Sequence, residues 1–348
     1  MEPLLGYMPT TTTYPFTFCN IAMSSIAKPL VDQGPDFSAF QRLVRSLFPG
    51  AQAQNIRMLE GSVYPIHFLQ MSNGLELVLK TRPISATPIL RNERYLLETE
   101  ATVLSLLWQR GIDGIPQPLK VDIPHYPPRT GYLLRNSIKG VALSEISFPL
   151  TSDDRKSIDR QLGAVVRSIG RQTASQFGLV HSVASGVGWR TWKQAFLSLF
   201  DSLMWDSENA FISLPYPEIR QHAIRLSAAL DDVVVPHLVV VDIGKPSHII
   251  LDPNTKQVSG IVDFTSALWG DPLMADVFGS PSPEFLHGFG SDLMDVKSAP
   301  IRLLLYSCYR SVLKIARQYY RNREGDEELA ARRVLTAQLA TLSTLEYP

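Results

Sequence analysis

Between Leu238 and Asp271 the chain reads LVVVDIGKPSHIILDPNTKQVSGIVDFTSALWGD. Short apolar runs here close on Asp242, Asp252 and Asp263, and they are separated by Gly244, Pro246 and the turn-forming Asp252-Pro253-Asn254-Thr255. This order predicts strand, loop, strand, turn, strand. The hairpin presents Asp263 at its end, directly after Ile261 and Val262. Whatever the chain folds into must accommodate this carboxylate-bearing hairpin between the segments on either side.

Those segments differ in their periodicity. From Asn55 the pattern is strand-like: NIRMLEGSVYPIHFLQM, then Ser72-Asn73-Gly74, then LELVLK. Asn-Gly between alternating apolar runs is a hairpin signal, because both residues tolerate positive φ. Ile89 to Arg110 places Leu97, Ala101, Leu104 and Trp108 on one face at helical spacing and stops before Gly111. Strands are expected at Leu119 to Asp122 and Gly131 to Leu134, followed by a connector from Arg135 to Gly140.

Beyond the connector the chain reads as mainly helical. Thr151 is the expected N-cap of a helix whose stripe is Ile158, Leu162, Val165, Val166 and Ile169. Further helices are expected near Thr191 to Met204, Pro217 to Leu230, Pro300 to Arg321 and Glu327 to Leu345. The expected fold is α+β, with an irregular arm over 1–36, a small sheet-rich lobe over 37–137 and a larger, mainly helical lobe over 138–348.

Composition narrows the function. Lys plus Arg and Asp plus Glu each number 33, so no basic excess exists to hold a nucleic-acid backbone. The two cysteines, Cys19 and Cys308, are far apart and lie in no metal-ligand spacing. No apolar run approaches the roughly 20 residues of a membrane span. A cytoplasmic protein with a small-molecule partner is expected, with no nucleic acid or membrane involved and an oligomeric state that the sequence leaves open.

Three residues carry candidate chemistry. Lys80 ends the strand LVLK, where phosphoryl-transfer enzymes place a lysine that holds nucleotide phosphates, fixed by a carboxylate from the next helix. Glu100 is the expected partner because it adjoins Ala101 on the buried face, whereas Glu98 turns toward solvent by helical angle. Taken alone, such a pair reads as a surface lysine and an ordinary helix charge. Asp263 at the hairpin end can hold Mg²⁺ against phosphates, while Asp271 is expected to brace the following loop.

Taken in order, RMLEGSVYPIHF, LVLKTRP, LRNERYLLETEATVLSLL, GYLLRNSIKG and DPNTKQVSGIVDFTSALWGDP resemble the aminoglycoside phosphotransferase and choline kinase-like group of the protein-kinase-like fold, especially its fungal members. The resemblance implies a two-lobed fold, and ATP and Mg as cofactors. It also implies Lys80 and Glu100 on the phosphates, Arg135 and Asn136 at the hinge beside adenine, and Asp263 on the metal.

The family's catalytic loop carries His-x-Asp and then an Asn five residues on, and this chain departs from it. Counting back from Asp263 without a gap puts His248 at the second metal position, Ile243 at the base position and Val241 in place of the His. One extra loop residue instead makes Asp242 the base, with Val240 in place of the His. Imidazole suits Mg²⁺ less well than an amide oxygen. The nucleotide loop EGSVYP offers one glycine, and Pro65 removes a backbone donor. Lys245 reads as a solvated loop lysine, with a compensating cation as the alternative.

The leading expectation is a small-molecule O-phosphotransferase of secondary metabolism, with Asp242 as base. The alternatives are an ATP-independent cyclase or isomerase type of catalyst in natural-product biosynthesis, and a pseudokinase that only binds a partner. Phe196, Leu197, Phe200, Met204, Trp205 and Phe211 read either as an acceptor pocket or as ordinary core. The acids nearby, Asp201, Asp206 and Glu208, form no strong cluster, which favours a less charged acceptor. RQYYRNRE at Arg317 to Glu324 reads as the solvated face and end of a helix.

Overall fold

A computed structural model describes residues 37–59, 63–83, 87–123, 131–290, 293–321 and 325–345, with side chains from residue 41 onward. The expected arm over 1–36, which includes Cys19, and Glu60 to Ser62 of the nucleotide loop lie outside the described residues. The chain divides into two compact units, 1–52 and 53–348. The first contains helix α1 (Phe37–Leu47) at the expected position. All that follows concerns the second.

Its first part is a five-stranded antiparallel sheet in the order β1 (Ala53–Leu59), β2 (Ile66–Met71), β3 (Glu76–Thr81), β5 (Tyr132–Asn136), β4 (Pro118–Asp122). The Asn73-Gly74 hairpin forms as expected: the Asn73 side chain accepts the Leu75 amide at 3.2 Å and β2 pairs with β3. Arg135 and Asn136 belong to β5, so the connector between lobes begins at Ser137 rather than at Arg135.

Helix α2 (Leu96–Gln109) starts later than the periodicity suggested. The residues before it are held by Glu93, which is 1% exposed. Glu93 accepts the Leu90 amide at 3.2 Å, Arg317 at 2.9 Å and Arg321 at 2.7 Å. Those two arginines are therefore anchors for a buried carboxylate and not a solvated helix end. Leu97, Ala101 and Leu104 are buried as expected, joined by Val103 and Leu107, while Trp108 in the last turn is 47% exposed.

After the short β6 (Val141–Ala142) the chain becomes helical: α3 (Ser152–Gly170), α4 (Val180–Ala184) after β7 (Gly178–Leu179), α5 (Trp192–Asn209) and α6 (Tyr216–Arg225). Thr151 caps α3 reciprocally with Asp154, through bonds of 3.1 and 2.8 Å. Then come β8 (His237–Val240), β9 (Ile249–Leu251), β10 (Val258–Ile261) and β11 (Ala267–Gly270), followed by α7 (Pro283–Phe289), α8 (Ala299–Tyr320) and α9 (Asp326–Thr344). The strands form two three-stranded sheets, β10-β9-β6 and β7-β11-β8. The architecture is α+β, with a small antiparallel N-lobe and a helical C-lobe. No helix among the described residues is long and apolar enough to cross a membrane.

The C-lobe core is aromatic where α5 meets α8. Trp192, Phe196, Phe200 and Tyr306 are buried, and the Phe196 ring contacts each of the other three. Phe196, Phe200 and Met204 are therefore core, while Trp205 lies outside under Arg91 and Phe211 is 90% exposed. Asp271 closes this core from above, accepting Leu273 N at 3.1 Å, Arg302 Nη1 at 2.5 Å and the Tyr306 hydroxyl at 2.6 Å. That is the bracing role expected of it.

Candidate active site

Lys80 leaves β3 on the face that meets α2 and the β9–β10 hairpin. Its Nζ lies 2.6 Å from Glu100 Oε2 and 3.5 Å from Asp263 Oδ1. Burial disfavours the ammonium, but Asp263 and then Glu100 outweigh it and hold the Lys80 pKa above its ordinary value. Glu98 does not face solvent; it pairs with Arg82. Helix α2 thus directs one carboxylate inward and the next acid two positions back toward a separate arginine.

Asp263 occupies the left-handed region at φ 67°. Thr265 fixes it there, its hydroxyl donating to Oδ1 at 2.6 Å and its amide at 3.1 Å. Burial works to raise the Asp263 carboxyl, but Lys80, His248 and the Thr265 bonds hold it well below the usual carboxylate range. Oδ2 faces His248 Nε2 at 3.7 Å. The other ring nitrogen, Nδ1, is 3.1 Å from the Asp242 carbonyl. A carbonyl only accepts, so Nδ1 carries a proton and donates it to Asp242 O.

The loop between β8 and β9 places Ile243 in the core at 1% exposure, while the Asp242 carboxylate faces polar partners. Ile243 is therefore a core residue, and Asp242 is the one of the two that meets polar groups. Asp242 Oδ2 is 2.5 Å from Lys245 Nζ, and Oδ1 accepts the Ser266 hydroxyl. Lys245 is thus an ion-pair partner and not a solvated lysine. Burial raises the Asp242 carboxyl and Asp263 adds to this, yet Lys245 and His248 outweigh both and hold it below its ordinary value. The loop is clamped by Asp276, which accepts Gly244 N–H at 2.9 Å and donates its own amide to Val241 O at 2.8 Å.

Arg135 and Asn136 sit apart in role. Asn136 spends its side chain on the Gln117 amide at 2.6 Å, tying β5 to the segment before β4. Arg135 turns inward, its Nε 3.7 Å from Glu100 Oε1. Sequence reasoning missed Thr265, Ser266 and Asp276. A Thr two residues after Asp263 is a recognisable local turn signal. Asp276, 32 residues from Gly244, has none.

A divalent cation can be tested against this donor set. Asp263 supplies a carboxylate held ionised, and His248 a nitrogen oriented by its bond to a backbone carbonyl, the arrangement of a fixed imidazole ligand. Among the described residues no group of three or more His, Cys, Asp or Glu side chains is arranged to hold a metal. The pair therefore fits a cation that brings its remaining oxygen ligands as phosphates and water.

No protein-family model matches the chain, and no curated protein matches it in sequence. Solved structures do match in fold. A thermostable mutant of aminoglycoside phosphotransferase APH(4)-Ia, in ternary complex with AMP-PNP and hygromycin B, superposes with a TM-score of 0.59 at 15% identity, over 88% of this chain and 100% of that one. Wild-type aminoglycoside 2'-phosphotransferase-IIIa in complex with GDP gives 0.55 at 16% identity, over 88% and 99%. The streptomycin-ATP ternary complex of APH(2")-IIa gives 0.54 at 14%, over 90% and 97%. With its antiparallel N-lobe, helical C-lobe and hairpin carboxylate between them, the chain has the protein-kinase-like fold of the aminoglycoside phosphotransferases.

Proposed function

We propose that this protein is a small-molecule O-phosphotransferase that moves the γ-phosphoryl group of a nucleoside triphosphate to a metabolite hydroxyl. The observation that carries this reading is Lys80 Nζ held between Glu100 at 2.6 Å and Asp263 at 3.5 Å. It joins a strand cation, a helix carboxylate and the hairpin carboxylate, the set that phosphoryl transfer uses to orient phosphates. ATP is the nucleotide expected from the sequence, and Mg the metal.

In this reading Lys80, fixed by Glu100, contacts the phosphates, and Asp263 with His248 holds the metal. When bound, the cation offsets phosphate charge. Asp242 orients the acceptor hydroxyl and takes its proton, while Ser266 and Lys245 hold the carboxylate in place. The acceptor carries little positive charge: Asp201 and Glu208 are spent on Arg220, and Asp206 on Arg91. No acidic cluster remains on α5 to receive a polycation.

A second reading draws on Lys245, whose 2.5 Å pair with Asp242 caps the carboxylate that should meet an acceptor. It is an ATP-independent catalyst or a non-catalytic binder in the same fold. Thermal melting with and without Mg²⁺ and ATP or GTP separates the two. Binding at tens of Kd stabilises by about 2 kcal/mol, so a raised Tm supports the phosphotransferase, and an unmoved Tm at millimolar concentrations of both nucleotides leaves the second reading.

A further inference from the structure

Helix α8 and the residue that follows it carry a basic stripe. Arg310, Lys314, Arg317 and Arg321 recur at intervals of four, three and four residues, the spacing that puts them on one face. That face runs past the loop that bears Asp242. Arg310 Nη1 donates to the Met274 carbonyl at 3.2 Å, and its Nη2 lies 3.4 Å from where a Cβ on Gly279 would stand. Between Met274 and Gly279, Asp276 clamps the Asp242 loop through Gly244 and Val241. Two turns further on, burial works against the Arg317 cation, but Glu93 and then Asp242 raise its pKa, so α8 lies within electrostatic reach of the base.

The arginines of this helix are not alike. Arg302 meets Asp271 at 2.5 Å, while Arg317 and Arg321 meet Glu93 at 2.9 and 2.7 Å. Arg310, half-buried, has no carboxylate partner among the described residues. Its one hydrogen bond goes to the neutral Met274 carbonyl, which leaves Nε and Nη2 unused, and neither is sealed from solvent. Burial pushes the Arg310 pKa below its ordinary value, and the pull of Asp276 does not restore it. Asp276 is a weak counter-ion, because burial pushes its own carboxyl up and its Oδ1 is taken by Gly244. The burial of this guanidinium is therefore uncompensated within the chain. Against the four cations of the stripe stand Glu93 and Asp276, while the Asp242 charge is matched by Lys245, so the wall beside the base is net positive. Nε and Nη2 of an arginine point to one side, a fork that two oxygens of a carboxylate or phosphate fill.

We propose that the acceptor is an acidic small molecule, a hydroxylated carboxylate or phosphate whose oxyanion is held by the free fork of Arg310 while its hydroxyl meets Asp242. This rests on the reading of Asp242 as the base of a phosphotransferase and names the class of acceptor it serves. Lys314 and Arg317 set the sign of the potential along the wall, and Arg310 makes the contact. A cationic acceptor is repelled from the same wall.

The test is ligand-observed NMR titration of the full chain, at fixed ionic strength and without Mg²⁺, with glycerate, glycerol 3-phosphate and glyceramide. These share a hydroxylated skeleton and differ in the end group, which in glyceramide is uncharged. The two acids should bind at least about tenfold more tightly than glyceramide, and the tighter of the two identifies the oxyanion. The preference should vanish in Arg310→Gln, weaken in Arg310→Lys, which keeps the charge and loses the fork, and persist in Lys80→Met. Acids bound no better than glyceramide overturn the proposal. A preference that survives Arg310→Gln overturns the assignment to Arg310; if Lys80→Met abolishes it instead, the anion sits at the nucleotide phosphate position and the phosphotransferase reading stands. Acid binding at Arg310 in a protein that binds no nucleotide in Mg²⁺ overturns the phosphotransferase reading and keeps the oxyanion site. Where Arg310→Gln fails to fold, Arg310→Lys and the wild-type comparison decide.

Discussion

Lys245 Nζ and Asp242 Oδ2 are 2.5 Å apart, three residues from each other in one loop. The pair keeps the carboxylate ionised against burial. If Asp242 accepts the proton of the acceptor hydroxyl, activity is present above its pKa in the folded protein and falls as the pH drops through it. Lys245→Ala removes a lowering influence and leaves burial in force, so that pKa rises. The acid limb of the kcat profile should move to higher pH, read from rates across the acidic range; an unmoved limb contradicts the assignment.

Asp242→Asn should reduce phosphoryl transfer by about 10²- to 10⁴-fold while nucleotide affinity stays near the wild-type value, since the residue acts on the acceptor and not on the phosphates. Steady-state rates beside equilibrium binding check the split. Full activity in Asp242→Asn sinks the base assignment.

Asp263 tests the metal position with little disturbance to the backbone. Asn tolerates the left-handed conformation that Asp263 adopts at φ 67°, so Asp263→Asn removes charge and spares the turn. Transfer should fall by at least about a hundredfold, and Mg²⁺ should no longer tighten nucleotide binding. Retained Mg²⁺ dependence of binding would place the metal elsewhere.

Asp271 makes the matching stability prediction. It is 1% exposed and satisfies Arg302, itself 4% exposed, together with Tyr306. Asp271→Ala leaves a buried guanidinium unpaired and should cost about 3–5 kcal/mol. Asp271→Asn keeps an acceptor and should cost less. Denaturant unfolding of the two variants gives the comparison, and equal losses contradict this account.

The connector has a backbone requirement of its own. Gly140 sits at φ 137°, and a Cβ there would fall 2.3 Å from the Leu251 carbonyl oxygen. Gly140→Ala therefore carries strain of at least about 1–3 kcal/mol, in addition to the contact with β9. The lowered Tm should be accompanied by weaker nucleotide binding, because the connector joins β5 to the lobe that carries Asp263.

What the sequence showed depended on how local each signal was. The Asn73-Gly74 hairpin, the Thr151 cap and the inward turn of Glu100 follow from neighbours within a few residues, and the structure has all three. Glu93 is held by Arg317 from 224 residues away, so neither its burial nor the true purpose of those arginines had a local signature. Arg135 was legible as the start of a connector and, by resemblance, as a hinge residue. Its inward direction follows from the pairing of β5 with β3, and that register is set by the sheet as a whole. The burial of Ile243 beside a polar-facing Asp242 likewise depends on the three-dimensional path of the loop, which counting residues does not give.

The central claim is that Lys80, between Glu100 and Asp263, marks a phosphate site. Titrating a fluorescent nucleoside triphosphate in Mg²⁺ into the wild type and into Lys80→Met tests it most directly. Saturable binding below millimolar concentration in the wild type, weakened at least about tenfold in Lys80→Met, is the predicted result. A wild-type protein that binds no nucleotide, or a Lys80→Met protein that binds it equally well, would contradict the account.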